Sequence, residues 1–387
     1  MEEDSMPVSR RRLLRTLGAT AVAGAAVPSF AGLPFAEIIQ PAPDTSSPQR
    51  LVLLDHNENA YGPSDKVLAV LRDATSVSYR YPRADYDLLI GKIASLYAVK
   101  PEQIALGCGS SDILRLAAAE FLAPGKKLVQ AAPTFPLLGR VARSAGVEVV
   151  DVPVTKTCEH DLDAMLARAG DSTGLVYICN PNNPTGTVTP RKNIEAFVRK
   201  LPATTMVLID EAYHHFATDD PNYVSFLDQP MDDPRIMVAR TFSKIYGLAG
   251  MRVGYVVARP EIAHRFSSHQ LYFGISVVAA RAAAAALDDS EYVGLGVKRN
   301  ADDRQEFMNQ VNARMIRALE SHANFVMVNP LRPADQVVEH LKKNNILIGP
   351  LIPTMSKYVR VSLGTPADMR EFWRVLDQLP VTGKMAM

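Results

Sequence analysis

Between residues 100 and 260 the apolar positions follow two alternating patterns. Short runs rich in Val, Ile and Leu recur at 104–106, 127–130, 147–150, 175–179, 206–209, 236–238 and 253–257. Most are separated by stretches whose apolar residues repeat with helical period, at 112–122, 136–145, 162–169 and 191–201. Unbroken apolar runs of strand length must be buried on both faces, and intervening amphipathic helices are what cover them. The pattern therefore predicts an α/β fold built on a doubly wound, mainly parallel sheet. Near residue 285 the character changes to a long amphipathic stretch, a strand at 324–328, a helix at 334–343, a strand at 358–363 and a last helix. That is a smaller α+β domain. The Ala-rich run at 279–287 reads as a packed helix.

The amino-terminal end follows neither pattern. Residues 9–15 read SRRRLLR, and 17–36 then carry no charge. The run is long enough to suggest a membrane span, but Ala and Gly dominate it and Pro28 and Pro34 interrupt it, so its transfer into a bilayer gains little. A basic start, a weakly apolar stretch and the small-x-small exit Ser29-Phe30-Ala31 describe a secretory signal, and Arg10-Arg11 resemble the twin-arginine type. The expected division is a signal at 1–36, an arm at 37–60, a large domain at 61–284 and a small domain at 285–387. The expected location is exported, periplasmic or extracellular, by the twin-arginine machinery; an uncleaved anchor is the alternative reading of the segment, and a cytoplasmic location the alternative address.

Composition narrows the function. The 387 residues hold 42 Lys plus Arg against 41 Asp plus Glu, a formal charge of +1, so nothing favours a nucleic-acid backbone as partner. Cys108, Cys158 and Cys179 have no CxxC spacing and read as buried thiols, not as a zinc site or a disulfide framework. His214-His215 invites a metal reading, but adjacent residues of a strand face opposite ways, so no metal is expected.

In a doubly wound sheet, ligands bind beyond the carboxyl ends of the strands. Four loops there carry chemistry. GCGSSD (107–112) joins a strand to a helix and offers hydroxyls and backbone N–H groups to an anion. NPNNPTG (180–186) fixes a turn with prolines and presents Asn183. DEAY (210–213) places a carboxylate at the exit of a buried strand, where it calls for a positive partner. TFSKIYGLAGMRVG (241–254) gathers Thr241, Ser243, Lys244 and Arg252 beside glycines.

In that order the four loops resemble those of fold type I pyridoxal-phosphate enzymes, in particular class I/II aminotransferases close to the histidinol-phosphate aminotransferase group, from about residue 53 to 372. The resemblance implies pyridoxal 5'-phosphate as cofactor. It implies Lys244 as the lysine that binds the cofactor aldehyde and shuttles the substrate proton, Asp210 as partner of the pyridinium nitrogen, and Asn183 and Tyr213 as partners of the ring oxygen. Arg252, Ser243, Thr241, Ser110 and Ser111 would hold the phosphate, and Phe135 of APTFP would stack on the ring. Tyr81 of YRYP would reach the neighbouring subunit's phosphate in a homodimer. Arg360 of YVRVSLG would clamp the substrate carboxylate, with Asn183 beside it, and Asn57 and Asn59 of HNENAYGPS would belong to an arm covering the site. The implied reaction moves an amino group between an L-amino acid or amine and a 2-oxo acid by a ping-pong mechanism. Two alternatives stay open: a decarboxylase of the threonine-phosphate type and a non-catalytic exported binding protein. One departure touches the substrate. Where the group commonly has an arginine that reads a substrate phosphate, this chain has Gly349, within Ile348-Gly349-Pro350.

Overall fold

The computed structural model describes residues 50–379; the expected signal and most of the expected arm lie outside them. The strands are β1 (Val52–Leu54), β2 (Ile104–Gly107), β3 (Lys127–Ala132), β4 (Glu148–Pro153), β5 (Thr173–Cys179), β6 (Met206–Asp210), β7 (Ile236–Thr241), β8 (Gly254–Val257), β9 (Arg317–Ala318), β10 (Phe325–Asn329), β11 (Ile346–Ile348) and β12 (Val359–Ser362). Seven of them form the main sheet in the order β2-β8-β7-β6-β5-β3-β4. The pairs from β7 to β4 are all parallel, whereas β8 runs antiparallel to both neighbours. This is the mainly parallel α/β sheet that the alternating pattern predicts, and all seven apolar runs lie in it.

Strand periodicity sorts the sheet residues onto two cores. Val176, Ile178, Val207, Ile209 and Val238 face one core. On that side lie helices α1 (Asp65–Ala74) and α2 (Arg83–Tyr97), which the apolar pattern did not single out. The other core takes Leu175, Tyr177, Cys179, Leu208, Met237 and Ala239, packed under α3 (Ser110–Phe121) and α4 (Leu137–Ser144). Helices α5 (Leu162–Arg168), α6 (Arg191–Lys200) and α7 (Pro260–Ser268) complete the cover. The Ala-rich run becomes α8 (Val277–Leu287), capped by Ser276, whose Oγ accepts from Ala279 N; its small side chains let α1 and α2 approach closely. The expected division at 284/285 falls inside this helix.

The rest is built on α9 (Ser290–Ala313), α10 (Ala334–Lys343), α11 (Pro366–Leu376) and the antiparallel sheet β12-β10-β9. Phe307, Phe372 and Trp373 fill its core. β1 pairs in parallel with β11, so residues 52–54 of the expected arm are strand and belong to this smaller core. Among the described residues no helix is long and apolar enough to cross a membrane.

Candidate active site

The chemistry-bearing loops converge at one edge of the main sheet, where β2, β5, β6 and β7 end and β8 begins. Lys244 lies three residues beyond β7. Its Nζ donates to the backbone oxygens of Asn57 at 2.9 Å and His56 at 3.2 Å, and lies 5.5 Å from the centre of the Tyr213 ring. The residue is partly open, but its ammonium is desolvated. That burial, helped by the positive Arg360 and Arg252, pulls its pKa down to about 7 against the opposing pull of Glu58 and Asp210. A substantial share of the amine is therefore unprotonated at neutral pH, the form a nucleophile or base requires.

Tyr213, Asn183, Arg360 and Asn57 form one connected set. The Tyr213 oxygen accepts from Asn183 Nδ2 and from Asn57 Nδ2, both at 3.1 Å. Burial raises the phenol's pKa, so Tyr213 stays a neutral hydroxyl. Arg360 Nη1 donates to Asn183 Oδ1 at 2.8 Å and Nη2 to the Asp55 carbonyl at 2.6 Å, while its buried Nε has no partner. A half-buried arginine without a carboxylate partner among the described residues, and with a free N–H, suits a planar anion. Asn57 ties the arm down: it adopts φ 53°, its N–H donates to Ser362 Oγ at 2.9 Å, and its carbonyl accepts from Asn324 Nδ2 at 3.0 Å. Asn59 Nδ2 donates to the Ile245 carbonyl, next to Lys244. The structure therefore gathers Lys244, Tyr213, Asn183, Arg360, Asn57 and Asn59.

A second cluster lies at the start of α3. Thr241 Oγ1 donates to Ser243 Oγ at 2.9 Å, and Arg252 Nη1 donates to the same Oγ at 3.2 Å. Gly109, with φ +77°, opens α3 ahead of Ser110 and Ser111; a Cβ there would come within 2.3 Å of Arg252 Nη2. A Cβ on Gly254 would meet Ser110 N at 2.4 Å. Both glycines therefore let a helix N-terminus and a guanidinium share one small space, a cradle for a multiply charged anion.

Asp210 is 2% exposed. Its Oδ2 accepts from Tyr177 Oη at 2.9 Å and its Oδ1 from Ala212 N at 3.1 Å. The positive partner that the sequence called for is absent: among the described residues no Lys, Arg or His forms an ion pair with it. The cation goes to the next residue instead. Glu211, 1% exposed, binds Arg240 at 2.8 Å and also accepts from Ser225 Oγ and Phe226 N. Desolvation dominates at Asp210 and raises its pKa to about 6, despite the Tyr177 and Ala212 hydrogen bonds. A buried carboxylate left without a cation fits a ligand that brings a protonated nitrogen.

Two expectations come out differently. His214 and His215 lie in a 3-10 turn, not a strand, so their rings meet at 4.2 Å instead of facing apart; desolvation lowers both pKa values, His215 to about 3. Among the described residues no group of three His, Cys, Asp or Glu could hold a metal. Of the cysteines read as buried thiols only Cys179 is buried; Cys108 is exposed on the anion loop and Cys158 is intermediate. Tyr81, expected to act in a neighbouring subunit's site, is 80% exposed and stacks on Phe273 at 5.4 Å. Phe135 is partly buried beside the core under α3 and α4. Sequence reasoning missed Tyr177, Ser362 and Asn324. Strand period could have found Tyr177, because it lies two residues before Cys179, which pairs with Asp210.

The sequence matches the class I and II aminotransferases over residues 49–376. It is 36% identical over 322 residues to histidinol-phosphate aminotransferase 2 of Carboxydothermus hydrogenoformans, covering 82% of this chain and 88% of that protein. It is 33% identical over 332 residues to the histidinol-phosphate aminotransferase of Caldicellulosiruptor saccharolyticus, covering 86% and 92%. The histidinol-phosphate aminotransferase of Sinorhizobium meliloti, solved in complex with pyridoxal-5'-phosphate, superposes with a TM-score of 0.81 at 27% identity, covering 92% of this chain and all of that one. With the cleft, the unpaired carboxylate and the anion cradle in place, the chain belongs to the class I and II aminotransferases, a pyridoxal-phosphate-dependent family.

Proposed function

We propose that this chain transfers an amino group between an L-amino acid or amine and a 2-oxo acid, as a histidinol-phosphate aminotransferase-like enzyme. The observation that carries the reading is Asp210, a buried carboxylate without a cation, in the same cleft as an amine lowered to about 7. The residues fit pyridoxal 5'-phosphate. Arg252, Ser243, Thr241, Ser110 and Ser111 would hold its phosphate, Asp210 its ring nitrogen, Asn183 and Tyr213 its ring oxygen, Phe135 its face and Lys244 its aldehyde. Bound there, the cofactor supplies the electron-accepting ring. Lys244 moves a proton to and from the substrate α-carbon, and Arg360 orients the substrate by its carboxylate. Asn57 and Asn59 hold the arm across the cleft and limit water.

The test is to add amino donors, L-glutamate and histidinol phosphate among them, to the loaded enzyme and follow the cofactor absorption. Conversion to the amine form without CO2 release supports transfer. CO2 release makes the enzyme a decarboxylase, and no spectral change makes it a binding protein. Gly349 leaves the substrate phosphate without the arginine that the resemblance led one to expect, so the donor screen also decides whether a phosphate is required.

The same reading makes the enzyme a homodimer with Tyr81 completing the neighbour's site. Its support is the pair of exposed aromatics Tyr81 and Tyr272, both in contact with Phe273, a surface that water solvates poorly. Mixed Tyr81→Phe and Lys244→Ala subunits should regain activity, because hybrid dimers carry one undamaged site. Subunits that demonstrably exchange without such recovery count against it. Export rests on SRRRLLR and the uncharged 17–36. Lys at positions 10 and 11 should trap active, unprocessed enzyme in the cytoplasm, whereas a native protein found only there and uncleaved ends the export reading.

A further inference from the structure

Tyr177 has no part in the functions assigned above, yet its position is specific. It lies on β5 opposite Leu208 of β6, and Asp210 is the next β6 residue on that face. Its ring spans that step, and its hydroxyl donates to Asp210 Oδ2 at 2.9 Å from a site with no solvent exposure. A phenol is an odd choice for the middle of an otherwise apolar strand, where an unpartnered hydroxyl costs free energy. Phenylalanine would fill the same volume. The hydroxyl therefore serves its acceptor, and that acceptor is a carboxylate whose other oxygen is held only by Ala212 N.

We propose that Tyr177 is a positioning residue for the cofactor ring nitrogen: its hydroxyl keeps Asp210 in the carboxylate form that a protonated ring nitrogen requires. This rests on the role proposed for Asp210. The groups that bear on Asp210 are few. Tyr177 and Cys179 face it from β5, Glu211 adjoins it with its charge matched by Arg240, and Lys244 and Tyr213 lie close enough to interact with it electrostatically. Of these, only Tyr177 donates a side-chain hydrogen bond to the carboxylate. Without it, burial would act against a single backbone N–H. Asp210 would then compete for the ring proton, and the ring would accept electrons less readily.

The test compares wild type, Tyr177→Phe and Asp210→Asn, with 15N-labelled pyridoxal 5'-phosphate bound and, in the cofactor-free protein, by 13C NMR of labelled aspartate carboxyls. In the cofactor-free protein Tyr177→Phe should move the Asp210 midpoint up by about one pH unit, the worth of one hydrogen bond to a charged group. In the loaded protein the ring-nitrogen resonance should move toward the neutral form. Turnover should fall on the order of tenfold in kcat with little change in the KM of the amino donor. Replacing Tyr177 with 3-fluorotyrosine, a more acidic donor of nearly the same size, should move the midpoint the opposite way, which loss of packing cannot do. A midpoint unmoved by both replacements in folded protein overturns the proposal. If instead Asp210→Asn leaves the ring nitrogen fully protonated, the reading of Asp210 has failed, and the proposal falls with it by a separate signature.

Discussion

Asp210 and Glu211 are consecutive carboxylates, equally buried and on opposite faces of one sheet, yet their surroundings differ completely. Glu211 faces a site furnished with a guanidinium, a hydroxyl and a backbone N–H, and Arg240 meets it twice, through Nε and Nη2. Its charge is spent inside the protein. Asp210 faces the cleft with one phenol and one amide, and it keeps unmet demand for positive charge. Burial alone thus does not mark a functional carboxylate. What marks it is burial without a matching cation, at the carboxyl edge of a sheet, because only a ligand can then complete the electrostatics.

The largest effect should come from Lys244, whose amine lies in the same site as Asp210 without forming an ion pair with it. Lys244→Ala should remove turnover by several orders of magnitude while the protein stays folded, since the side chain's hydrogen bonds go only to two arm carbonyls. Steady-state transamination together with a thermal melt checks both halves. Lys244→Ala with near-normal turnover would sink the site assignment.

Asp210→Asn should slow turnover by about a thousandfold and yet stabilise the cofactor-free protein. The sign follows from the raised pKa. The folded state binds more protons than the unfolded state between about pH 4 and 6, so stability falls as pH rises through that window and stays lower above it. Removing the charge should recover roughly 2–3 kcal/mol at pH 7, measurable by urea unfolding. An equal loss of stability at every pH would mean that Asp210 is structural, as Glu211 is.

Arg240→Met tests the other carboxylate. It strands Glu211 in the core, so it should cost about 3–5 kcal/mol of stability, with an intact site in whatever remains folded. The double variant Glu211→Gln with Arg240→Met should regain much of that loss. If the single variant melts like wild type, the contrast between the two residues disappears.

The smallest effect concerns the histidines beside this ion pair. His214 and His215 are held neutral by burial, and His215 would charge in the folded state only near pH 3. Unfolded histidines charge below about pH 6.5, so stability should fall as pH drops from about 6.5 toward 4. Replacing both with Phe should flatten that slope in acid unfolding curves.

The seven main-sheet strands were legible because each is an unbroken apolar run, and that pattern follows directly from burial on both faces. β1 and β11 were not, because three-residue strands in a mixed context carry no period. Helix α1 was passed over although it carries local signals, an amphipathic period and an N-cap at Ser64 whose Oγ accepts from Val67 N, whereas α2 has no side-chain cap and a weak apolar period. Within the site, the residues in loops directly after strands could be named from the loops themselves and the family they resemble. Ser362 and Asn324 could not. Each acts by bonding Asn57 of the arm, from 305 and 267 residues away in the chain.

By itself the sequence determined the α/β architecture, the four chemistry-bearing loops and their family, because those depend on local periodicity and on residue types at fixed spacing. The tertiary structure alone decided which carboxylate is paired and which is left open. DEAY offers two acids side by side, and nothing local distinguishes their fates. Arg240 points to the Glu211 face because strand alternation and the β6–β7 register put it there, 29 residues along the chain. Tyr177 reaches Asp210 by the register of β5 against β6. Charge compensation in a core is a three-dimensional balance, and only packing determines which partners arrive.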